Sequence, residues 1–389
     1  MSMILKRILS GFFLILLFHF PKGYCQGINF LHLFDSTVKG NKSTNIDMSL
    51  SSLLQKASRG NSLNFMEMGS FVNGNNIQFL NTNDVKYLFN SQKLIEKIIA
   101  NSDSDVRSKG NLWRLKDNGA AKLKAYNNLE NALFEGYLFR YVGEFLFLAK
   151  KSGHKMEKIP ISFLKNNFDK WYDRSLKIHG DASLISNIRL HMGAQWATAA
   201  MYIYKLEGGQ KYLKFYNDFN SSLKNNLKLR TKGVNKYYVW NSSYDGGNVN
   251  TFVKGRRQKG LDKGGEIQDV THGNHIVQFV IDSYKLGMGR WSLNDLKLFS
   301  NTLIYSIWDE RNKTFSDNVD GSKNRDKSIV GSGWKQADGW MKLMEFNSKL
   351  YPIYLSFYKV NLNKVKTNKS SGNLQFYGNM LTYKRVYGK

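Results

Sequence analysis

Residues 187–229 read NIRLHMGAQWATAAMYIYKLEGGQKYLKFYNDFNSSLKNNLKL, and this stretch decides the fold. Leu190, Met192, Trp196, Ala199, Met201, Ile203 and Tyr204 recur with a helical period over 187–206. Gly208 and Gly209 halt the pattern, and 210–229 resumes it. Helix, two-glycine break, helix marks an αα-hairpin, because glycine takes up the left-handed backbone that ends one helix and turns the chain back.

The same signature extends in both directions. Upstream, 126–150 carries Leu129, Leu133, Phe134, Tyr137, Leu138, Tyr141, Val142, Phe145, Leu146 and Leu148, and a second periodic run, 161–178, starts directly after Pro160. A leading helix is expected over 84–99 from Val85, Leu88, Phe89, Leu94, Ile95, Ile98 and Ile99. Downstream, 270–286 is broken by Gly287 and Gly289, Ser292 caps 293–308, and a last pair spans 334–346 and 349–360. No strand–helix alternation is present, which excludes a doubly wound sheet. The hairpins differ from one another, which excludes a fixed short repeat. The expectation is an all-α dominated chain, an incomplete (α/α) toroid of helical hairpins with minor β structure at 76–80 and 237–240. An open solenoid is the alternative. The expected organisation is a signal peptide over 1–25, an irregular Asn/Ser/Gly-rich segment over 26–83, the toroid over 84–360 and a basic, aromatic tail over 361–389.

Composition narrows the function classes. Of 389 residues, 42% are hydrophobic, enough for a packed core, so wholesale disorder is excluded. Cys25 is the single cysteine, which excludes a disulfide framework and a cysteine-ligated zinc. Lys and Arg number 57 against 30 Asp and Glu, a net charge of +27, which implies an anionic partner. Lys6 and Arg7 precede an apolar run over 8–20, and Gly23 and Cys25 supply the small residues for a cut before Gln26. This is the pattern of an export signal. An uncleaved anchor is the alternative, although the run falls short of the ~20 apolar residues of a membrane span. A secreted or periplasmic chain of this charge meets acidic surface or extracellular polysaccharide, and nucleic acid is not expected. No later run has the length of a membrane-spanning helix.

The densest polar cluster runs from Glu266 to His275, Glu-Ile-Gln-Asp-Val-Thr-His-Gly-Asn-His. A helix starting near Asp269 brings Asp269, His272 and His275 to one face at i, i+3 spacing. Asp269 would cap it. His272 would lie in the first turn, where the helix dipole disfavours imidazolium and leaves a neutral ring able to take a proton. The plainer reading is a cap and packed histidines. A basic loop, Lys254, Arg256, Arg257, Lys259 and Lys263, precedes the cluster and is either a binder of acidic groups or a solvated surface. Trp240, Tyr237, Tyr238, Trp334 and Trp340 are candidate sugar platforms, against core packing as the alternative. Walker A, G-x-S-x-G and H-E-x-x-H are absent. The spacing of Asp269, His272 and His275 also suits a metal, but with seven histidines in the chain no metal and no cofactor is expected.

The hairpin from Arg189, together with the run from Glu266 to His275 followed by Phe279, Asp282 and Tyr284, resembles the (α/α)-toroid carbohydrate-active enzymes. These include alginate-lyase-like and chondroitin-lyase-like polysaccharide lyases, six-hairpin glycosidases and the helical domain of glucuronyl C5-epimerases. The resemblance spans about 120–360 and lies mainly in the hairpin pattern. It implies β-elimination on a uronate, in which the carboxylate is neutralised and a base removes the C5 proton. Under that resemblance His272 is the candidate base or charge stabiliser and Tyr244 the acid/base. Arg189, His191 and Asn241 are candidate carboxylate contacts, and His275, Trp240, Arg256 and Arg257 complete the candidate substrate site. A hydrolase would use Glu266 and Asp269 as its carboxylate pair. An epimerase shares the proton abstraction, and a non-catalytic binder of anionic polymer shares the charge.

Overall fold

The computed structural model describes residues 28–388 except 41–46, 105–107, 117–127, 157, 187–188, 244–265, 324–335 and 362–372. The expected signal peptide lies outside the described residues. The helices in chain order are α1 (Phe30–Lys39), α2 (Leu50–Ala57), α3 (Phe65–Thr82), α4 (Lys86–Ala100), α5 (Ala132–Ser152), α6 (Ile161–His179), α7 (Ser183–Ser186), α8 (Leu190–Glu207), α9 (Gln210–Asn226), α10 (Val270–Lys285), α11 (Leu293–Asn301), α12 (Gly339–Lys342), α13 (Leu350–Val360) and α14 (Asn373–Tyr387). A 3₁₀ turn, Leu343–Glu345, continues α12, and a π turn, Thr302–Ile307, continues α11.

The contacts among these helices close a ring. α3 packs on α5, α5 on α8, α8 on α10, α10 on α12, α12 on α14, and α14 returns to α3. Outside it, α4, α6, α9 and α11 follow and pack on α3, α5, α8 and α10 in turn. α13 packs behind the 3₁₀ turn, and α1 behind α14. The architecture is therefore an (α/α) toroid with inner and outer helices alternating along the chain. Each outer helix reverses direction, so the inner helices run parallel and their N-terminal ends form one mouth. The hydrogen bonds agree. Asn73 and Asn76 of α3 both meet Glu144 of α5, and Gln375 near the start of α14 meets Asn73.

Sequence accounts for the two layers. Outer helices carry one apolar stripe and expose the rest; α9 buries Tyr212, Phe215, Tyr216, Phe219 and Leu223 on one side. Inner helices are buried almost all round, as in α5, where buried residues run nearly unbroken from Ala132 to Ala149. Inner helices also approach closely. A Cβ on Gly69 would lie 2.6 Å from the Tyr137 carbonyl oxygen, and one on Gly339 would lie 2.1 Å from that of Asn274. Only glycine permits those crossings.

The ring is completed by segments that the sequence reading left out of it. Residues 26–83 were expected to be irregular, with a strand at 76–80, yet α1, α2 and α3 occupy most of them and 76–80 lies within α3. The tail, with its weak period, contains α14. Both inner helices bury polar side chains, among them Asn73, Asn75, Asn76 and Gln78 in α3 and Gln375 and Asn379 in α14, and this erases the apolar period. The strand at 237–240 is present as Asn235–Val239, paired antiparallel with Lys228–Lys232 from Lys228↔Val239 to Lys232↔Asn235. Among the described residues no helix is long and apolar enough to cross a membrane.

The axis of the ring is polar. Glu144 accepts hydrogen bonds from Asn73 (2.9 Å) and Asn76 (3.1 Å), and its other oxygen lies 3.4 Å from the Lys342 ammonium. Gln278 donates to Asp282 at 2.6 Å. Burial pushes Asp282 up to about 6, Lys342 pulls it down, and Glu144 pushes it up again.

Candidate active site

Short backbone pairings frame the mouth. Arg189 bridges Ser243, Asn241 bridges Ile267, and Asp269 bridges Asn318. These bring the start of α8 beside the start of α10. Asp269 caps α10 with one carboxylate oxygen, which accepts the His272 backbone N–H at 2.9 Å. Its other oxygen accepts from the His272 ring Nδ1 at 2.7 Å. That bond fixes the tautomer with the proton on Nδ1, so Nε2 keeps its lone pair. The His272 side chain is 39% exposed at the mouth. Burial opposes ionisation of Asp269, but the hydrogen bonds from the His272 ring and backbone N–H outweigh it and hold the carboxyl below its usual range.

Two more histidines surround this pair. His191, in the first turn of α8, stacks on His272 with ring centroids 4.1 Å apart and planes 26° from parallel. Burial first, and His272 and His275 next, hold its pKa well below that of a free imidazole. His275, one turn deeper on α10, lies 6.2 Å from His191 and 6.3 Å from His272 between centroids.

Beneath them lies a charged floor. Arg140 of α5 donates to His275 Nδ1 at 2.7 Å and pairs with Asp338 at 2.9 Å. Tyr141 donates to the same Asp338 oxygen at 2.6 Å, and the Tyr137 hydroxyl lies 3.3 Å from His275 Nε2. An arginine N–H can approach Nδ1 at that distance only if Nδ1 offers a lone pair, so His275 is neutral with its proton on Nε2. Burial and the Arg140 charge accordingly lower its pKa to about 3.

This floor has a consequence for stability. The unfolded chain protonates His275 near pH 6.5, and the fold does so only near 3. Between those values the unfolded state binds more protons, so this contribution to stability is lost as pH falls through that window. Glu135 and Asp282, raised by burial to about 7 and about 6, act in the opposite sense. The informative quantity is therefore a difference. Between pH 6.5 and 4, His275→Gln should lose roughly 2–3 kcal/mol less stability than the native chain, measured by denaturant unfolding.

The structure brings together six of the sequence candidates: Arg189, His191, Glu266, Asp269, His272 and His275. Arg189 and Glu266 form an ion pair at the rim. His275 is buried below the surface and lies in the floor. Three candidates need correction. Trp240 is fully buried, stacked against Trp340 at 5.9 Å and edge-on to Phe299, so it offers no platform, and neither does Trp340. Asn241 is fully buried within the frame and cannot reach a bound carboxylate. Trp240 and Asn241 follow a strand that runs inward from the surface hairpin. Tyr244, Arg256, Arg257 and Trp334 lie outside the described residues. Among the described residues no group of three His, Cys, Asp or Glu side chains is arranged to hold a metal. Sequence reasoning missed Tyr137, Arg140, Ser242 and Asp338. An arginine inside the apolar run of 126–150 was the one available signal, since a buried charge demands a partner.

No family model matches the chain, and no curated protein matches it. Two solved structures are similar to it. One is an inactive variant of a GH76 α-1,6-mannanase of Salegentibacter sp. HEL1_6 in complex with α-1,6-mannotriose, at 11% identity and TM-score 0.42, covering 86% of this chain and 98% of that one. The other is a D-mannose isomerase, at 11% identity and TM-score 0.45, covering 84% and 87%.

Proposed function

We propose that this chain is an exported carbohydrate-active enzyme that cleaves a uronate-containing polysaccharide by β-elimination, with His272 as the base. The observation that carries the reading is the Asp269–His272 pair, in which the carboxylate holds Nδ1 of a partly exposed imidazole at the mouth of the ring. Asp269 keeps the ring oriented and stabilises the imidazolium once the proton is taken. His272 Nε2 removes the proton from C5, the electron pair forms the C4–C5 double bond, and the bond from C4 to the glycosidic oxygen breaks. The departing oxygen takes up a proton from water. Carboxylate neutralisation makes C5–H acidic enough for this step, and Arg189 stands two residues from His191 at the rim to supply it.

A hydrolase reading fits less well. It needs one free carboxylic acid and one carboxylate acting on the sugar. Both oxygens of Asp269 already bond His272. The test is incubation with alginate, polyglucuronate, hyaluronan and pectin. Shortening of at least one polymer, with the ultraviolet absorbance of an unsaturated uronate, is the expected result. Shortening without that absorbance would move the reading to hydrolysis, and neither change would remove it.

A further inference from the structure

Three groups at the rim form a site of their own. Arg189 donates through one guanidinium nitrogen to the Ser242 hydroxyl at 2.8 Å and through the same nitrogen to Glu266. The Ser242 hydroxyl donates to that same Glu266 oxygen at 3.2 Å. A single carboxylate oxygen thus collects an arginine and a hydroxyl two residues from His191 and three residues before the Asp269 cap. One of the donors is held firmly. Ser242 is 3% exposed, and its backbone N–H and carbonyl are tied to Glu266 and Leu190. The acceptor is not: the Glu266 side chain is 60% exposed.

We infer that Arg189 and Ser242 form a carboxylate subsite, and that Glu266 occupies it as an internal competitor which an acidic substrate displaces. Exposed ion pairs contribute little free energy, so exchanging one carboxylate for another at Arg189 costs little. A neutral sugar offers no such exchange and leaves the pair closed. Glu266 then acts as an internal competitor: it weakens binding of a carboxylate that must displace it from Arg189, and a sugar without a carboxylate does not compete for that place. The uronate as occupant rests on the function proposed above, while the subsite itself rests on the bonds of Arg189, Ser242 and Glu266.

The experiment is calorimetric titration of the full chain with a glucuronate tetrasaccharide and with cellotetraose, its uncharged counterpart. Glu266→Gln should bind the acidic ligand about two- to fivefold tighter, the range set by an exposed ion pair, with no matching gain for cellotetraose. Arg189→Gln should bind the acidic ligand at least roughly tenfold more weakly, as expected for a lost charge-assisted hydrogen bond. Asp218→Asn, the same charge change on the outer helix α9, should leave affinity as it is. Unchanged or weaker acid binding by Glu266→Gln, or an equal gain in Asp218→Asn, would overturn the inference. Unsaturated products from the native chain without a Glu266→Gln gain would remove the inference and keep the lyase. A gain without such products would keep the subsite and remove the lyase. Absence of acid binding by both native chain and Glu266→Gln would remove both.

Discussion

His272→Ala is expected to lower turnover of the acidic polymer by roughly a hundredfold to ten-thousandfold, the usual contribution of a positioned general base. Unfolding free energy should stay within about 1 kcal/mol of the native chain, because the side chain is partly exposed and contributes little core area. Asp269 retains its helix cap in the variant, since the cap bond runs to the backbone N–H of residue 272 rather than to the ring. Steady-state kinetics and thermal unfolding on the same preparation separate the two effects. Activity that survives within a few-fold would show that the proton is removed elsewhere.

The second large effect concerns the axis of the ring. Lys342→Met should cost about 3–5 kcal/mol at neutral pH, the penalty of a buried charge left without its partner. Lys342 is the cation beside Glu144, and it also lowers Asp282. Without it Asp282 rises further. A carboxyl raised in the fold binds its proton earlier there than in the unfolded chain, so acid relieves the deficit. The stability gap between variant and native chain should be widest above the raised pKa of Asp282 in the variant, narrow as pH falls from there to about 6, and level off below it, where Asp282 is protonated in both folds. Denaturant unfolding at several pH values measures this, and a pH-independent gap would place the loss in packing instead.

The sequence was most legible where packing is one-sided. Outer helices such as α6 and α9 present apolar stripes, and the hairpin of α8 and α9 stood out through Gly208 and Gly209. The cap at Asp269 was readable because Asp three residues ahead of a first-turn backbone N–H is a local pattern. Reading failed for α3 and α14, whose buried Asn and Gln side chains serve the ring axis and leave no period. It also failed for Trp240 and Asn241. Residue type suggested contact with ligand, whereas their depth depends on how the hairpin Lys228–Val239 enters the core. The floor under the site was illegible for a similar reason. Arg140, His275 and Asp338 come from three separate inner helices or their caps, and only the closed ring brings them together.

Closure between the first and last helices constrains how the molecule is made. Asn73 meets Gln375 and Asn81 meets Gly378 across about three hundred residues of chain. A nascent polypeptide without α14 lacks a finished interior, since α14 is synthesised after the other described inner helices. Pairings between such distant segments also form slowly, because a long loop of chain must be ordered first. The nascent polypeptide therefore lingers unfinished until α14 emerges.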